Sequence, residues 1–416
     1  MTYEERDMSE EDRAVQLLRT MPDEPPSPST IDIPRTMAEG RRRRRARRWS
    51  GGVALAAVTA VAAGGGTVAV AALREPAPPT PAPSPTASTV AAAPAPAAAV
   101  PVPKDCTVTL LPSGDIRKAL VTSGDPSGRY LAGRVYPPSG VHTVLWKDGV
   151  LQPRPPMPGA DASWEDINSS GVAVGSSYSG EVQYAYVSPG KSVTRLHGGE
   201  ASAAAINDAG VIAGALGKPY EGVPAMWPSA SAAAVELPLP AGYTAGAAEA
   251  IGEDGTIVGT VEKKATEGTG YLWLPGGATR LMPMPTVEGK RATLFWPDSL
   301  SNGWVYGRAV LDLQEDGSRR FTSYRYNIAT NKYEKLATPL GPPAIGAENG
   351  WILGTTGRYE PVLLAGKKVV QLPRYATMKE YQVTALSADG KTAAGYTTDT
   401  DDTEGVANRP LRWTCR

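Results

Sequence analysis

One short pattern recurs seven times between Gly128 and Gly395: a small or apolar residue, a turn of Asn, Asp, Ser or Gly, three or four mostly apolar residues, then glycine. The copies read PSGRYLAG, NSSGVAVG, NDAGVIAG, GEDGTIVG, LSNGWVYG, AENGWILG and SADGKTAAG. They close on Gly133, Gly175, Gly214, Gly259, Gly307, Gly354 and Gly395, at intervals of 42, 39, 45, 48, 47 and 41 residues. A repeat of that length predicts the blades of one closed β-propeller rather than several unrelated domains. In the clearest copy, Ala203 to Ile206, Val211 to Leu216, Ala225 to Trp227 and Ala234 to Leu237 read as four short strands. Asn207 to Gly210 form the first tight turn, because Asn, Asp and Gly tolerate positive φ.

The third strand recurs as VLW at 144, AYV at 185, AMW at 225, YLW at 271, YRY at 324, VLL at 362 and LRW at 411. Large residues at a fixed repeat position predict packing between blades. The fourth strand ends in Leu-Pro at 237 and 372 and Leu-Met-Pro at 281, and the same ending stands at Leu111-Pro112, ahead of the first repeat. After Gly395 the chain has room for a third strand but not a fourth, so CTVTLLP from Cys106 is expected to complete the last blade. Cys106 and Cys415 then face each other across that seam, and a disulfide between them is expected if the domain lies in an oxidising compartment.

Upstream of the repeats the chain changes character. Residues 1–48 read as a mostly disordered cytoplasmic tail with one short amphipathic helix over Glu10 to Met21, ending in a run of seven arginines and one alanine from Arg41 to Arg48. Residues 49–74 hold the uncharged Val53–Leu73 stretch, which at ~1.5 Å per residue spans about 30 Å, the thickness of a bilayer core. Arginines on its N-terminal side predict a cytoplasmic N-terminus with the propeller outside. A cleaved export signal is the alternative, since Ala69-Val70-Ala71 suits a cleavage site. Residues 75–103 are a Pro/Ala-rich linker, and residues 104–416 the propeller. The fold class is therefore all-β: a seven-bladed β-propeller ectodomain preceded by a disordered tail, one transmembrane helix and a Pro/Ala-rich linker.

The 42 basic residues balance 42 acidic ones, and no basic run follows Arg74, so the folded part carries no nucleic-acid footprint. With two histidines and two cysteines in the chain, the sequence contains no metal-ligand spacing and no cofactor motif, and it is read as non-enzymatic. Binding on a propeller is expected on the face that carries the longer, more varied loops. There the candidate contacts for a glycan, peptide or protein are Tyr136, Tyr178, Tyr184, Tyr220, Tyr359, Tyr375 and Tyr381. Packing of their own loops is the simpler role for these tyrosines. Asp399, Asp401, Asp402 and Glu404 form an acidic loop without the calcium-loop spacing. Glu165, Asp166, Glu249 and Glu253 are the carboxylates that could converge at a propeller mouth.

Ala203, Ile206, Asn207, Gly210, Ile212 and Gly214, followed by Ala225-Met226-Trp227, resemble the HAF repeat, a WD40-like extracellular repeat, here of actinobacterial type. The resemblance covers roughly residues 106 to 416 and implies a membrane-associated or exported propeller, with no catalytic residues to carry over. The fifth copy, with Ser299-Leu300-Ser301, and the sixth, with Ile345-Gly346-Ala347, depart from the pattern, and irregular blades are expected there. The functional expectation is a single-pass, membrane-anchored extracytoplasmic recognition module for an envelope glycan, peptide or protein. The alternatives are a transmembrane sensor whose tail contacts a regulator such as a sigma factor, and a propeller enzyme such as a glycan lyase.

Overall fold

Each repeat turns back on itself at a glycine held at positive φ, for example Gly210 at 82° and Gly255 at 83°, a conformation that side chains with a Cβ resist. The computed structural model describes residues 102–263, 268–311, 321–336, 340–399 and 408–416. The expected tail, the membrane span and all but the end of the linker fall outside those residues, as do Asp401, Asp402 and Glu404. Among the described residues no helix is long and apolar enough to cross a membrane. The strands form seven four-stranded antiparallel sheets, the blades of a β-propeller. Their innermost strands are Ala119–Gly124, Ala160–Ile167, Ala201–Ile206, Ala245–Ile251, Leu294–Ser301, Gly341–Gly346 and Tyr381–Leu386, which define blades 1 to 7. Successive inner strands pack side by side, and blade 7 returns to blade 1. A two-stranded hairpin, Thr286–Val287 with Lys290–Arg291, is inserted before blade 5.

The closing glycine of the repeat is explained by the inner strand opposite it. In six blades the register slips by one residue at an equivalent place on that strand, producing a β-bulge at Thr122, Glu165, Ala204, Glu249, Asp298 and Thr384. The bulge swings a backbone carbonyl toward the second strand. A Cβ on Gly133, Gly175, Gly214, Gly259, Gly307 or Gly395 would collide with the carbonyl oxygen of Leu120, Ser163, Ser202, Ala247, Trp296 or Gln382 respectively. Only glycine lets the two backbones approach so closely. Blade 5 keeps this arrangement despite its variant motif, whereas blade 6 slips over a longer stretch, between Gly341 and Ile345.

Two further motif residues tie blades together. The third-strand tryptophans Trp146, Trp227, Trp273 and Trp413 are buried, and each donates its indole N–H to a carbonyl just past the outer strand of the preceding blade. The acceptors are Pro112 (2.6 Å), His197 (2.5 Å), Pro238 (2.9 Å) and Pro373 (2.8 Å). The tryptophan therefore fills the space between blades while its polar edge is satisfied, as a buried indole requires. On the turn face, the Asn168 amide donates to the Asn207 carbonyl at 3.1 Å and the Asn207 amide to the Gly252 carbonyl at 3.3 Å. The Asn207 side-chain oxygen meanwhile accepts from Val211 N–H within its own turn. Asn302 and Asn349 do likewise toward Glu348 and Asp389.

The ring closes where the two ends of the domain meet. Cys106–Leu110 pairs with Pro410–Cys415 as the outer strand of blade 7, in the register Cys106 opposite Cys415. A disulfide joins the two across 309 residues of chain. In the chain-entropy model a loop that long contributes about 5 kcal/mol to stability. Replacing both cysteines by serine is expected to lower the denaturation midpoint, and reductant should move the native protein but not the variant, as read by guanidinium titration. Gly259→Ala should cost about 1–3 kcal/mol through the backbone collision, in the same titration.

Candidate functional site

The bulges do more than bend strands. They bring Thr122, Glu165, Ala204, Glu249, Asp298 and Thr384, with Pro343 in blade 6, onto the wall of a single cavity along the propeller axis. Its volume is about 580 Å³. Ile167, Ile206, Ile251, Leu300, Ile345 and Leu386 line it above the bulges, and Asp254, Asn302 and Glu348, from hairpin turns, stand at its opening. The channel therefore opens toward the short-turn face. The tryptophan, asparagine and closing-glycine positions of the repeat serve packing and backbone geometry, whereas the bulge position changes chemistry from blade to blade.

Three of the seven ring residues are carboxylic acids. Asp298 keeps 5% of its side-chain surface exposed and lies 3.5 Å from the Arg308 guanidinium through Oδ1, while Oδ2 makes no hydrogen bond. Burial pushes its pKa up to about 6 against the opposing pull of Arg308 and of a backbone hydrogen bond from Ala344. Arg308 also lies over the rings of Trp296 and Phe321, 5.4 and 6.0 Å from their centroids. Glu249 is raised to about 7, first by confinement within the protein, with Glu262, Glu165 and Asp298 adding repulsion and Arg308 opposing it. Glu249 is exposed to the channel lumen, so water reaching it limits that effect and leaves it free to titrate. Glu262 is raised to about 7 by burial. Its Oε2 and the Thr122 and Thr384 hydroxyls are buried polar atoms without hydrogen-bond partners. Among the described residues no three His, Cys, Asp or Glu side chains form a metal site.

The four carboxylates singled out in the sequence separate into two kinds. Glu165 and Glu249 are ring residues. Asp166 and Glu253 also border the cavity, but their oxygens are engaged in the fold. Asp166 accepts from Ser123 Oγ (3.1 Å), Ile167 N–H (2.9 Å) and Ile206 N–H (2.9 Å), joining blades 1, 2 and 3. Burial still raises it to about 7, against those three hydrogen bonds. Glu253 accepts from Asp208 N–H at 2.9 Å on the turn face. Asp298 was not among the four. It aligns with Glu249 in the fifth repeat, a signal that the altered turn LSNG concealed.

The seven tyrosines do not form one surface. Tyr136, Tyr220, Tyr359 and Tyr375 lie in connecting loops, whereas Tyr178, Tyr184 and Tyr381 lie in strands. Tyr381 is fully buried, accepts from Tyr375 N–H at 2.9 Å and donates to Met378 O at 2.8 Å, so it pins the loop before its own strand. Tyr136 lies beneath the Lys118 ammonium at 4.4 Å, and Tyr184 beneath the Arg195 guanidinium at 3.4 Å. Tyr359 is 56% exposed on the loop face. Tyr220 approaches the ring: burial raises its hydroxyl pKa, and Glu249, Glu262 and Tyr178 are near enough to add to the shift.

The raised carboxyls fix a pH dependence. Asp166, Glu249, Glu262 and Asp298 have folded-state pKa values above the unfolded ones of about 4. Between about pH 4 and 7 the folded state thus holds more protons than the unfolded state, and stability falls as pH rises through that window. The melting temperature should be higher at pH 5.5 than at pH 8, and Glu249→Gln should flatten the difference, as read by calorimetry.

No known protein family and no curated relative matches the sequence. Solved propellers do match the fold. The β-propeller domain of the Trilobed protease from Pyrococcus furiosus is 13% identical, over 71% of this chain and 95% of its own, with a TM-score of 0.47. YCF48 from Cyanidioschyzon merolae is 11% identical, over 74% and 98%, with a TM-score of 0.46. An oligogalacturonate lyase from Vibrio parahaemolyticus is 10% identical, over 74% and 96%, with a TM-score of 0.46. At such identities the likeness is one of fold alone.

Proposed function

We propose that this chain is a membrane-anchored, extracytoplasmic recognition module of the HAF-repeat kind, and that its axial channel, rather than its tyrosines, is the principal ligand site. The observation that carries this reading is the bulge ring. Six equivalent bulge positions, with Pro343 from the longer slip of blade 6, converge on one cavity, and they are positions at which the repeat abandons uniformity, reading Thr, Glu, Ala, Glu, Asp, Pro and Thr. A residue kept only for blade packing would repeat, as the tryptophans and closing glycines do. The anchor rests on the uncharged Val53–Leu73 stretch behind the arginine run, and the disulfide between Cys106 and Cys415 suits an oxidising compartment. The partner is an envelope glycan or peptide narrow enough to enter the channel mouth.

A second reading, chemistry on such a glycan, is favoured by Glu249 and Asp298, whose raised pKa values place them in the range of general acids. Both readings meet in one experiment. The full chain, in mild detergent, should sediment with purified cell-wall sacculi, and Ala204→Trp, which fills the channel, should abolish sedimentation while leaving the melting temperature within a few degrees. Retention by the plugged variant would move the site to the outer loops. Release of soluble sugar during the incubation would mark an enzyme.

A further inference from the structure

The ring's composition narrows what the channel takes. Glu165 and Glu249 are exposed on the cavity wall, Asp298 lines the same wall with a nearly buried carboxyl whose Oδ2 has no hydrogen-bond partner, and Glu262 lies close enough to repel Glu249. Among the described residues Arg308 is the cation paired with this group, and it approaches Oδ1 of Asp298. Carboxylates that repel one another in a confined channel attract a ligand cation, and a charge-assisted hydrogen bond to a carboxylate is roughly twice as strong as a neutral one. Among the described residues no three carboxylates converge as a bare metal ion would require, so such an ion does not suit the arrangement. A primary ammonium does, because its three donors diverge to separate acceptors.

Resting on the channel as the ligand site, we propose that the propeller binds an ammonium-bearing ligand whose charged group sits between Glu249 and Asp298. The two acids supply compensating charge. Amino sugars and peptides with free amines share this chemistry. The channel's apolar upper wall of Ile167, Ile206 and Ile251 accommodates the carbon skeleton of either.

The test uses matched pairs that differ only in charge: glucosamine against N-acetylglucosamine, and lysinamide against Nε-acetyl-lysinamide, titrated calorimetrically into the full chain. At least one free amine should bind and its acetylated partner should not. Binding of glucosamine alone assigns an amino sugar, and of lysinamide alone a basic peptide. Glu249→Gln and Asp298→Asn should each weaken that binding by about tenfold or more, with the fold intact by circular dichroism. The charged and titratable groups facing Glu249 are Arg308, Glu262, Glu165, Asp298 and Tyr220. As its acids protonate, affinity should fall between about pH 7 and 5. Equal binding of the acetylated compounds, indifference to both substitutions, or no binding by any amine would overturn the proposal. If sacculi are still lost on Ala204→Trp but retained by Glu249→Gln and Asp298→Asn, the channel stands as the ligand site and its charge preference does not.

Discussion

One backbone contact recurs through the ring and sets its inner geometry: the bulged inner strand pressed against a closing glycine. In six blades the carbonyl two residues before the bulge occupies the space a Cβ would need. That contact bends the inner strand at the same height in each blade and turns the bulged side chain out of the sheet, toward the axis. Without the bulge, strict alternation would assign these residues to one face of the sheet or the other. The channel wall is thus a by-product of the same feature that makes the repeat recognisable. The glycine is constant because the backbone needs it, whereas the bulge itself imposes no particular side chain.

Once the inner strands are set, the blades are joined by a few repeated devices rather than by one large core. Buried residues gather in separate clusters, several of which combine residues of adjoining blades. Between those clusters the tryptophan indoles reach back one blade, and the turn asparagines reach forward one. Each link is worth about 1 kcal/mol, so none holds the ring alone. The seam is different, because strand pairing there joins segments far apart in sequence and forms only after a long loop closes. A covalent bond at that place removes the entropy of reopening, and the register of Cys106 opposite Cys415 makes it without displacing the strand ladder.

Much of this was legible before the structure. The intervals between closing glycines counted the blades, and the Leu-Pro ending at Leu111 identified the strand that completes the last one. The tryptophans were readable as packing because they recur. The ring was not, since its signal is the absence of a pattern: Glu165, Ala204 and Glu249 each stand ten residues before a closing glycine, and nothing in their identities says that they share a wall. Asp298 was hidden further by a shorter spacing to Gly307. Asp166 showed the opposite failure. Its neighbour is the lumen residue, and the shift of one position turns an apparent site carboxylate into an acceptor for two backbone amides and a serine. The tyrosines were placed on loops by composition alone, and three proved to be strand residues, one of them wholly buried.

The distribution of cost within the ring bears on why its acids are there. A propeller gains nothing in stability from Glu249, which faces three other carboxylates and is opposed only by Arg308. Asp298 is nearly buried, with one oxygen unpaired. Both would be less costly as leucine or alanine, and Ala204 shows that the bulge accepts a small apolar residue without losing its geometry. Asp166 also pays for desolvation, yet its three hydrogen bonds link three blades and recover part of that cost. Acids that destabilise the fold they sit in, at positions where the backbone imposes no side chain, are best accounted for by what enters the channel. Their mutual repulsion is the part of the structure that a cation would relieve, and the paired Arg308 shows how far the protein itself goes toward doing so.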